Sequence, residues 1–223
     1  MGINVAIDGP SGAGKSTLAR KLAEKLNFIY VDTGALYRTV GLYILKNKID
    51  PQDIDAVTEA LKSIDVGLRF IGGEQHVYLN GEDVSLDIRL HEVSQYASLV
   101  SAIPVVRRFL FDTQRKLASE NDVIMDGRDI GTVVLPDANV KIFLTASAEV
   151  RARRRYNELL ERGQSVDFEQ ILADVNQRDE QDMNRPVAPL KPAEDSVLVD
   201  TSDCSFDESL SLLYNTIKER LPE

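Results

Sequence analysis

Short apolar runs alternate with amphipathic stretches along most of this 223-residue chain. The runs are rich in valine and isoleucine, and most of them end in a polar residue. They cover residues 3–7, 29–32, 123–126, 140–145 and 197–200. Because strands that alternate with helices form parallel sheets covered on both faces, the pattern predicts an α/β fold with a five-stranded parallel sheet flanked by helices.

The stretches between these runs carry apolar residues three or four positions apart, which is the spacing of one helix face. Such groups begin at Leu18, Leu36, Ile54, Val93, Phe109 and Leu210. Pro104 suits the first turn of its helix. Ser205 and Glu208 have the spacing of a capping box, which predicts the start of the last helix.

Residues 63–90 depart from this alternation of strands and helices. Single apolar residues alternate over 66–70 and again over 77–79, and the turns Gly72-Gly73 and Asn80-Gly81 follow these two runs. Since such dipeptides between alternating runs favour hairpins, the segment predicts a small antiparallel three-stranded insert between the second and third core strands.

The first strand leads directly into a glycine-rich segment, Gly9-Pro10-Ser11-Gly12-Ala13-Gly14-Lys15-Ser16. This segment fits the pattern G-x-x-x-x-G-K-[ST] of a phosphate-binding loop, and it lies between a strand and a helix, as that loop does. Glycines allow successive backbone N–H groups to point into one anion-sized hollow. Lys15 would add a charge for the terminal phosphates, and Ser16 is placed to ligate Mg²⁺. We therefore expect a bound nucleotide with Mg²⁺.

Aspartates stand at the ends of four predicted strands, at positions 8, 32, 126 and 200. Ligands gather at the carboxyl ends of parallel strands, so these carboxylates are compatible with Mg²⁺ binding and hydroxyl recognition. Asp126 is the candidate second half of the nucleotide site and would reach Mg²⁺ directly or through water. The alternative for such an aspartate is a cap for the following helix.

A second anion site is predicted after the second strand. Thr33 places a hydroxyl at a helix N-terminus, and Arg38 follows about one turn later. Arg128 follows Asp126 closely and suits a phosphate better than a surface ion pair. Two separated anion sites indicate a phosphorylated acceptor. Thr33 as an ordinary N-cap and Arg38 as a solvated side chain are the alternatives.

Basic residues are concentrated in one part of a chain whose formal net charge is −10. Seven arginines lie between residues 151 and 185, and those within 151–155 open a predicted helix. The next predicted helix starts at Phe168 and runs on to Pro186, and its residues on one face include Arg178, Asp182 and Arg185. Such a helical pair would close over phosphates as a lid, unless its charges are merely solvated.

Composition limits the partners and the compartment. The chain has 36 acidic and 26 basic residues, which argues against a nucleic-acid polymer as partner. No apolar run approaches the ~18 residues of a membrane span, and the first strand leaves no room for a signal peptide. The single cysteine, Cys204, is interpreted as structural and fits a reducing compartment. We expect a cytoplasmic monomer without membrane association.

Four segments give the chain a close resemblance to bacterial cytidylate kinases, the P-loop nucleoside monophosphate kinases that phosphorylate CMP and dCMP. They are residues 7–15, 32–38, 126–134 and the pair 178–179 with 184–190. The resemblance covers essentially the whole chain. It implies a single P-loop kinase domain, 1–223, whose parts would be a core (1–32, 91–146 and 186–223), a CMP-binding region with the insert (33–90) and a lid region with the arginine-bearing helix (147–185).

The resemblance also implies roles for individual residues. The phosphates of ATP would be bound by the loop from Gly9 to Gly14 together with Lys15, Ser16 and Thr17. Phosphate groups of the acceptor and the transferred group would be held by Arg38, Arg128 and Arg185. The cytosine would be recognised by Ser98, Arg107 and Asp129, and the sugar by Arg178 and Asp182. The CMP site would be completed by Thr33, Tyr37 and Gly127, and the catalytic set would be Lys15, Arg128, Asp129 and Arg185.

The chemistry of cytosine supports this assignment. Its amino group needs an acceptor such as Asp129, and its ring N3 and O2 need donors such as Arg107. Uracil reverses that edge, so a carboxylate opposite its C4 oxygen would repel it. Which of the arginines within 151–155 faces ATP is left open by the sequence.

Other classes of P-loop protein fit less well. Residues 47–50 match the guanine-reading pattern N-K-x-D, but they follow a helix near the second strand rather than a late strand. No aspartate is followed by glycine three positions later, so the D-x-x-G motif of a GTPase switch is missing. A kinase for another nucleotide or for a small hydroxy acid is the nearest alternative, and the second anion site favours a phosphorylated acceptor.

Overall fold

The structure, a computed structural model, describes residues 2–221 with the exception of the His91 side chain. Helices separate most strands of the main sheet along the chain, as the sequence predicts. In chain order the elements are β1 (Asn4–Asp8), α1 (Lys15–Leu26), β2 (Ile29–Asp32), α2 (Thr33–Lys46), α3 (Ile54–Leu61), β3 (Val66–Ile71), β4 (Glu74–Leu79), β5 (Glu82–Asp83), α4 (His91–Ser101), α5 (Pro104–Glu120), β6 (Val123–Gly127), β7 (Val140–Thr145), α6 (Ala148–Glu161), α7 (Phe168–Asn184), β8 (Val197–Asp200) and α8 (Phe206–Lys218).

The main sheet has five parallel strands in the order β2-β6-β1-β7-β8, which confirms the predicted sheet. The central strand β1 pairs with β6 on one side and with β7 on the other. Both faces of β1 are covered, and residues 5–7 are fully buried. This explains why its sequence is a continuous apolar run rather than an alternating one. The pairing brings the ends of β1, β2 and β6 together, at Asp8, Asp32 and Asp126.

Helices cover the sheet on both faces through the apolar stripes predicted from the sequence. Leu22 of α1 and Leu213 of α8 are fully buried in one core cluster against the sheet. Met125 and Val31 belong to a second cluster with residues of α5. Each buried side chain of this size stabilises the fold by roughly 1.5–3 kcal/mol. The phosphate-loop helix α1 is thus anchored by its own apolar face.

The predicted antiparallel insert is confirmed as a three-stranded sheet of β3, β4 and β5. Its turns use positive φ angles, including 51° at Asn80 and 86° at Gly81. The insert is joined to the main sheet by Gln75 of β4. The Asp32 N–H donates to Gln75 Oε1 at 2.9 Å, and Gln75 Nε2 donates to the Asp32 carbonyl at 3.3 Å. The insert therefore packs where β2 ends.

One predicted boundary is wrong. The helix α7 ends at Asn184 rather than running on to Pro186, and Arg185 is extended, with φ −60° and ψ 139°. The reason is local, because a residue that precedes proline disfavours the helical conformation. The predicted capping box is present at Ser205 and Glu208. No helix within residues 2–221 is long and apolar enough to cross a membrane. The division into core, CMP-binding and lid regions stays a prediction.

Candidate active site

The phosphate loop joins β1 to α1 through backbone conformations that require glycine. Gly9 has φ +150°, and a Cβ there would lie 1.9 Å from the Leu144 carbonyl oxygen of β7. Gly14, with φ +88°, is the N-cap of α1 and has no side chain to occupy the first N–H groups of the helix. These N–H groups and the helix dipole are therefore available to an anion in the loop.

Lys15 lies at the start of α1 and is buried, although it carries an ammonium group. Its Nζ donates a 2.8 Å hydrogen bond to the Pro10 carbonyl. Burial, together with the positive charge of Arg128, lowers the pKa of Lys15 from 10.5 to about 7. A polyphosphate in the loop would supply the missing counter-charge and favour the protonated form.

Asp126, at the end of β6, faces two hydroxyl groups. Ser16 Oγ donates to its Oδ2 at 3.0 Å, and the Tyr30 hydroxyl donates to its Oδ1 at 2.9 Å. Burial, together with the negative charge of Asp32, raises the pKa of Asp126 to about 6. A hydroxyl beside a carboxylate is an oxygen donor set that suits Mg²⁺. No group of three or more His, Cys, Asp or Glu side chains fit for a metal occurs in the described residues. Phosphate and water oxygens would complete the shell, as is usual for Mg²⁺.

The other three strand-end aspartates have different partners. Both carboxylate oxygens of Asp8 accept 2.7 Å hydrogen bonds, from the N–H groups of Ile130 and Gly131, and burial raises its pKa to about 6. Asp8 thus holds the segment that follows Asp129. Asp32 caps α2, and Asp200 is exposed and bonds to Ser202. The interpretation as a helix cap is therefore correct for Asp32.

The predicted second anion site lies at the start of α2. Asp32, not Thr33, is the N-cap, so the interpretation of Thr33 as an ordinary N-cap is wrong. Thr33 is buried, and its Oγ1 donates to the Asp126 carbonyl at 2.7 Å. Arg38 Nη2 donates to Asp32 Oδ2 at 2.6 Å, so Arg38 is held in place rather than solvated. This pairing fixes a guanidinium beside the end of β2.

The helix α7 brings two of its predicted site residues to the loop after β6. Arg128 Nε donates to Asp182 Oδ2 at 2.7 Å. Burial alone would raise the pKa of Asp182, but the charge and hydrogen bond of Arg128, with the charges of Arg178 and Arg185, together lower it. Burial lowers the pKa of Arg178 to about 10, with the charge of Arg128 contributing, and the Arg178 Nε is buried without a hydrogen-bond partner. Arg128 is thus paired with a buried carboxylate rather than at the surface.

The cleft also contains a carboxylate between two arginines. Asp129 is buried and accepts hydrogen bonds from Arg107 Nη2 and, at 3.0 Å, from Arg185 Nη2. The Arg107 guanidinium lies 5.8 Å from the centre of the Tyr37 ring. Burial raises the pKa of the Tyr37 phenol to about 12, so it stays protonated and neutral. Ser98 of α4 lines the same cleft.

The arginines of α6 differ in their contacts. Arg154 Nη2 donates to the Thr201 carbonyl at 2.9 Å, and Arg155 pairs with Glu158 at 2.9 Å. Both line the cleft, as does Arg151. Arg153 instead packs its guanidinium 3.9 Å from the centre of the Phe168 ring. Arg153 is therefore not placed to contact a nucleotide in this arrangement.

One cavity of about 1380 Å³ is lined by the phosphate loop and by Asp129. The other predicted site residues line it as well, apart from Gly9 and Pro10. The cavity is far larger than a single phosphate requires. It is lined by residues of both anion sites predicted from the sequence.

Comparison with known sequences decides the family. A sequence profile described as cytidylate kinase matches residues 5–219. The chain belongs to the cytidylate kinase family. A cytidylate kinase of Caldicellulosiruptor bescii is 50% identical over 98% of this chain and 99% of its own length. One from Caldanaerobacter subterraneus subsp. tengcongensis is 48% identical, over 97% of this chain and 95% of its own. This chain is therefore a phosphotransferase, a kinase of cytidylate.

A solved structure confirms the fold independently. An uncharacterized protein from Eubacterium ventriosum superposes with a TM-score of 0.52 at 16% sequence identity, covering 99% of this chain and 100% of its own. At this identity the similarity extends to the fold alone.

Three features of this cytidylate kinase site are missing from the sequence prediction. The Tyr30 hydroxyl donates a hydrogen bond to Asp126, but in the sequence Tyr30 is only one more residue of the apolar run that predicts β2. Asp179 pairs with Arg151 across 28 residues, a separation without any periodic pattern. Cys204, interpreted as structural, is half-buried and lines the cleft.

Proposed function

We propose that this kinase transfers the γ-phosphoryl group of ATP to CMP or dCMP, giving ADP and CDP or dCDP. The observation that carries the proposal is the buried Asp129–Arg107 pair, which lines the same cleft as the phosphate loop. This pair offers an acceptor beside donors, which complements the edge of cytosine. Membership of the cytidylate kinase family agrees with CMP or dCMP as the phosphoryl acceptor.

ATP would bind with its phosphates in the loop from Gly9 to Thr17. The N-terminus of α1 supplies N–H donors and a positive dipole there, and Lys15 supplies a mobile charge for the terminal phosphates. Arg154 and Arg155 border the loop side of the cleft, so they are the lid arginines best placed to approach ATP.

Mg²⁺ would be held by Ser16 and Asp126, with phosphate and water oxygens completing its shell. When bound, the ion neutralises charge on the phosphate oxygens and fixes their orientation. Tyr30 would keep the Asp126 carboxylate turned toward Ser16, because it occupies the other carboxylate oxygen.

The acceptor would lie between the loop after β6 and the start of α2. Arg38, Arg128 and Arg185 would contact its phosphate and the transferred group, since guanidinium groups match phosphate geometry. Each of these arginines now pairs with a carboxylate of the site, Asp32, Asp182 or Asp129. Arg178 and Asp182 would contact the sugar hydroxyls, and Tyr37 and Ser98 would border the base.

Phosphoryl transfer in this site is a matter of position and charge. A phosphate oxygen of CMP attacks the γ-phosphorus in line with the leaving ADP oxygen, and Lys15, Arg128 and Arg185 stabilise the equatorial oxygens. No strong general base is required, because the attacking phosphate is already anionic. Closure of α6 and α7 over the cleft would exclude water and so limit hydrolysis of ATP.

Discrimination between bases would depend on Asp129. A carboxylate has lone pairs beyond those that Arg107 and Arg185 occupy, and one of them can accept from the cytosine amino group. Uracil presents an oxygen at that position, so it would offer the carboxylate no donor and would be repelled by its charge. A site built to hydrogen-bond a substrate group strongly rejects analogues that lack it.

ADP formation from ATP and Mg²⁺ with CMP, dCMP, UMP, AMP and GMP, assayed separately, tests the proposal. We expect fast turnover with CMP and dCMP and little with the other three. Turnover with none of the five, alongside intact ATP binding, would contradict the acceptor and direct attention to non-nucleotide acceptors. The monomeric state and the cytoplasmic location stay predictions.

A further inference from the structure

One buried guanidinium links three separate parts of the chain. Arg151, in the first turn of α6, is 4% exposed. Its Nε donates to the Ala146 carbonyl at 2.8 Å, and its Nη1 donates to the Ser11 carbonyl of the phosphate loop at 3.0 Å. Nη1 also donates to Asp179 Oδ1 at 2.9 Å, and Nη2 donates to the other oxygen of the same carboxylate. Arg151 therefore connects the phosphate loop, the end of β7 and the middle of α7.

The geometry of the Arg151–Asp179 pair makes it a stiff link. Burying the Arg151 guanidinium costs desolvation free energy, which its ion pair with the partly exposed Asp179 and its hydrogen bonds to two backbone carbonyls offset. The bidentate arrangement fixes both the distance and the relative orientation of the two side chains. The guanidinium is occupied by protein groups, so this pair has a positioning role rather than a phosphate-binding one in this arrangement.

Asp179 stands next to the residues of α7 that face the acceptor. Arg178 precedes it directly, and Asp182 follows three positions later and pairs with Arg128. A rotation or shift of α7 at Asp179 would therefore displace both Arg178 and Asp182. A displacement of the Ser11 carbonyl would shift Arg151, and Arg151 would in turn shift α7 through Asp179.

We propose that the Arg151–Asp179 ion pair couples the donor site to the acceptor site. ATP that orders the phosphate loop would fix the Ser11 carbonyl, and Arg151 and Asp179 would then hold α7 in the orientation that binds the acceptor. Both are positioning residues, and the inference rests on the proposed function for the identity of the acceptor. Coupling of this kind is reciprocal, so the acceptor strengthens ATP binding by the same factor.

The test compares the wild type with Asp179→Asn, using Glu180→Gln as a matched control on the exposed neighbouring position. Calorimetry measures the Kd of CMP with and without saturating AMP-PNP and Mg²⁺. For the wild type and the control we expect CMP to bind about 5-fold or more tightly with AMP-PNP present, within the usual range of coupling. For Asp179→Asn we expect that ratio to fall to between about 1 and 2. The double variant Arg151→Gln/Asp179→Asn removes both buried charges and should lose the coupling as well, even if the single variant folds poorly.

A second readout does not depend on the acceptor. Hydrogen exchange of the α7 amides should slow when AMP-PNP and Mg²⁺ alone are added to the wild type, and this change should be absent in both variants. An unchanged coupling ratio in the variants, or equal losses of both single-ligand affinities with the ratio retained, would overturn the inference. A wild type that fails to bind CMP contradicts the proposed function instead, and the exchange experiment still decides whether the phosphate loop and α7 are linked.

Discussion

Arg185 donates from Nη2 to Oδ1 of Asp129 at 3.0 Å, across 56 residues of the chain. Arg185 is the extended residue that follows α7, and Asp129 lies in the loop that follows β6. Because Arg107 binds the other oxygen of the same carboxylate, Asp129 organises two buried guanidinium groups. The Asp129 carboxylate therefore stabilises the fold as the partner of two arginines, and it is also the group that a cytosine would contact.

Asp129→Asn should raise the KM for CMP by at least ~50-fold and leave the Kd of ATP within about 2-fold of the wild type. It should also lower the free energy of unfolding by about 3 kcal/mol, since two buried arginines lose their counter-charge. Steady-state kinetics and urea unfolding measure the two effects. Asp137→Asn, at an exposed position in the following turn, is the control. Equal losses of CMP and ATP binding would argue against a base-reading role.

Lys15→Met should reduce kcat by at least ~10³-fold, because the charge on the terminal phosphates loses its partner. The fold should be retained and become more stable at pH 7. The pKa of Lys15 is depressed to about 7 in the folded chain, so burial of the charged form costs free energy that methionine avoids. We expect a gain on the order of 1 kcal/mol in urea unfolding. Near-normal turnover of the variant would contradict the phosphate-loop assignment.

ATP binding should take up protons near neutral pH. The pKa values of Lys15, Asp8 and Asp126 lie at about 7, 6 and 6, and an anionic ligand raises all three. The affinity should therefore fall as the pH rises from about 6 to 9. Calorimetry with ATP and EDTA, in two buffers of different ionisation enthalpy, measures the protons taken up. Lys15→Met should abolish the proton uptake that occurs above pH 7. Proton release by the wild type on ATP binding would contradict the prediction.

Gly9→Ala should prevent the phosphate loop from packing against β7. Its Cβ would meet the Leu144 carbonyl oxygen at 1.9 Å, and φ +150° is strained for any residue with a side chain. We expect a loss of at least ~3 kcal/mol in unfolding free energy, or failure to fold. Gly67→Ala is the matched control, because its Cβ would only touch Tyr78 Cβ at 3.5 Å. Thermal unfolding of the two variants measures the difference. Equal stability of Gly9→Ala and Gly67→Ala would show that the phosphate loop can shift away from the Leu144 carbonyl and would contradict the prediction.

The sequence predicts the fold because its main features are local. Apolar runs specify the five strands, and Gly72-Gly73 with Asn80-Gly81 specify the insert. The predicted end of α7 is wrong, although the position of Arg185 before Pro186 is a local signal for the observed boundary. Contacts such as Arg151 with Asp179 were not, because only the packing of two helices creates them.

Gln75 has a consequence for the solution behaviour of the whole domain. β2 is an outermost strand, and Gln75 occupies both backbone polar groups of Asp32 that point away from the sheet. Since unpaired strand edges template aggregation, we expect the insert to protect this end of β2 from association between molecules. Gln75→Ala should make the enzyme more prone to self-association on mild heating, as static light scattering would register. The insert, which is predicted to belong to the CMP-binding region, would then also limit self-association of the kinase at high concentration.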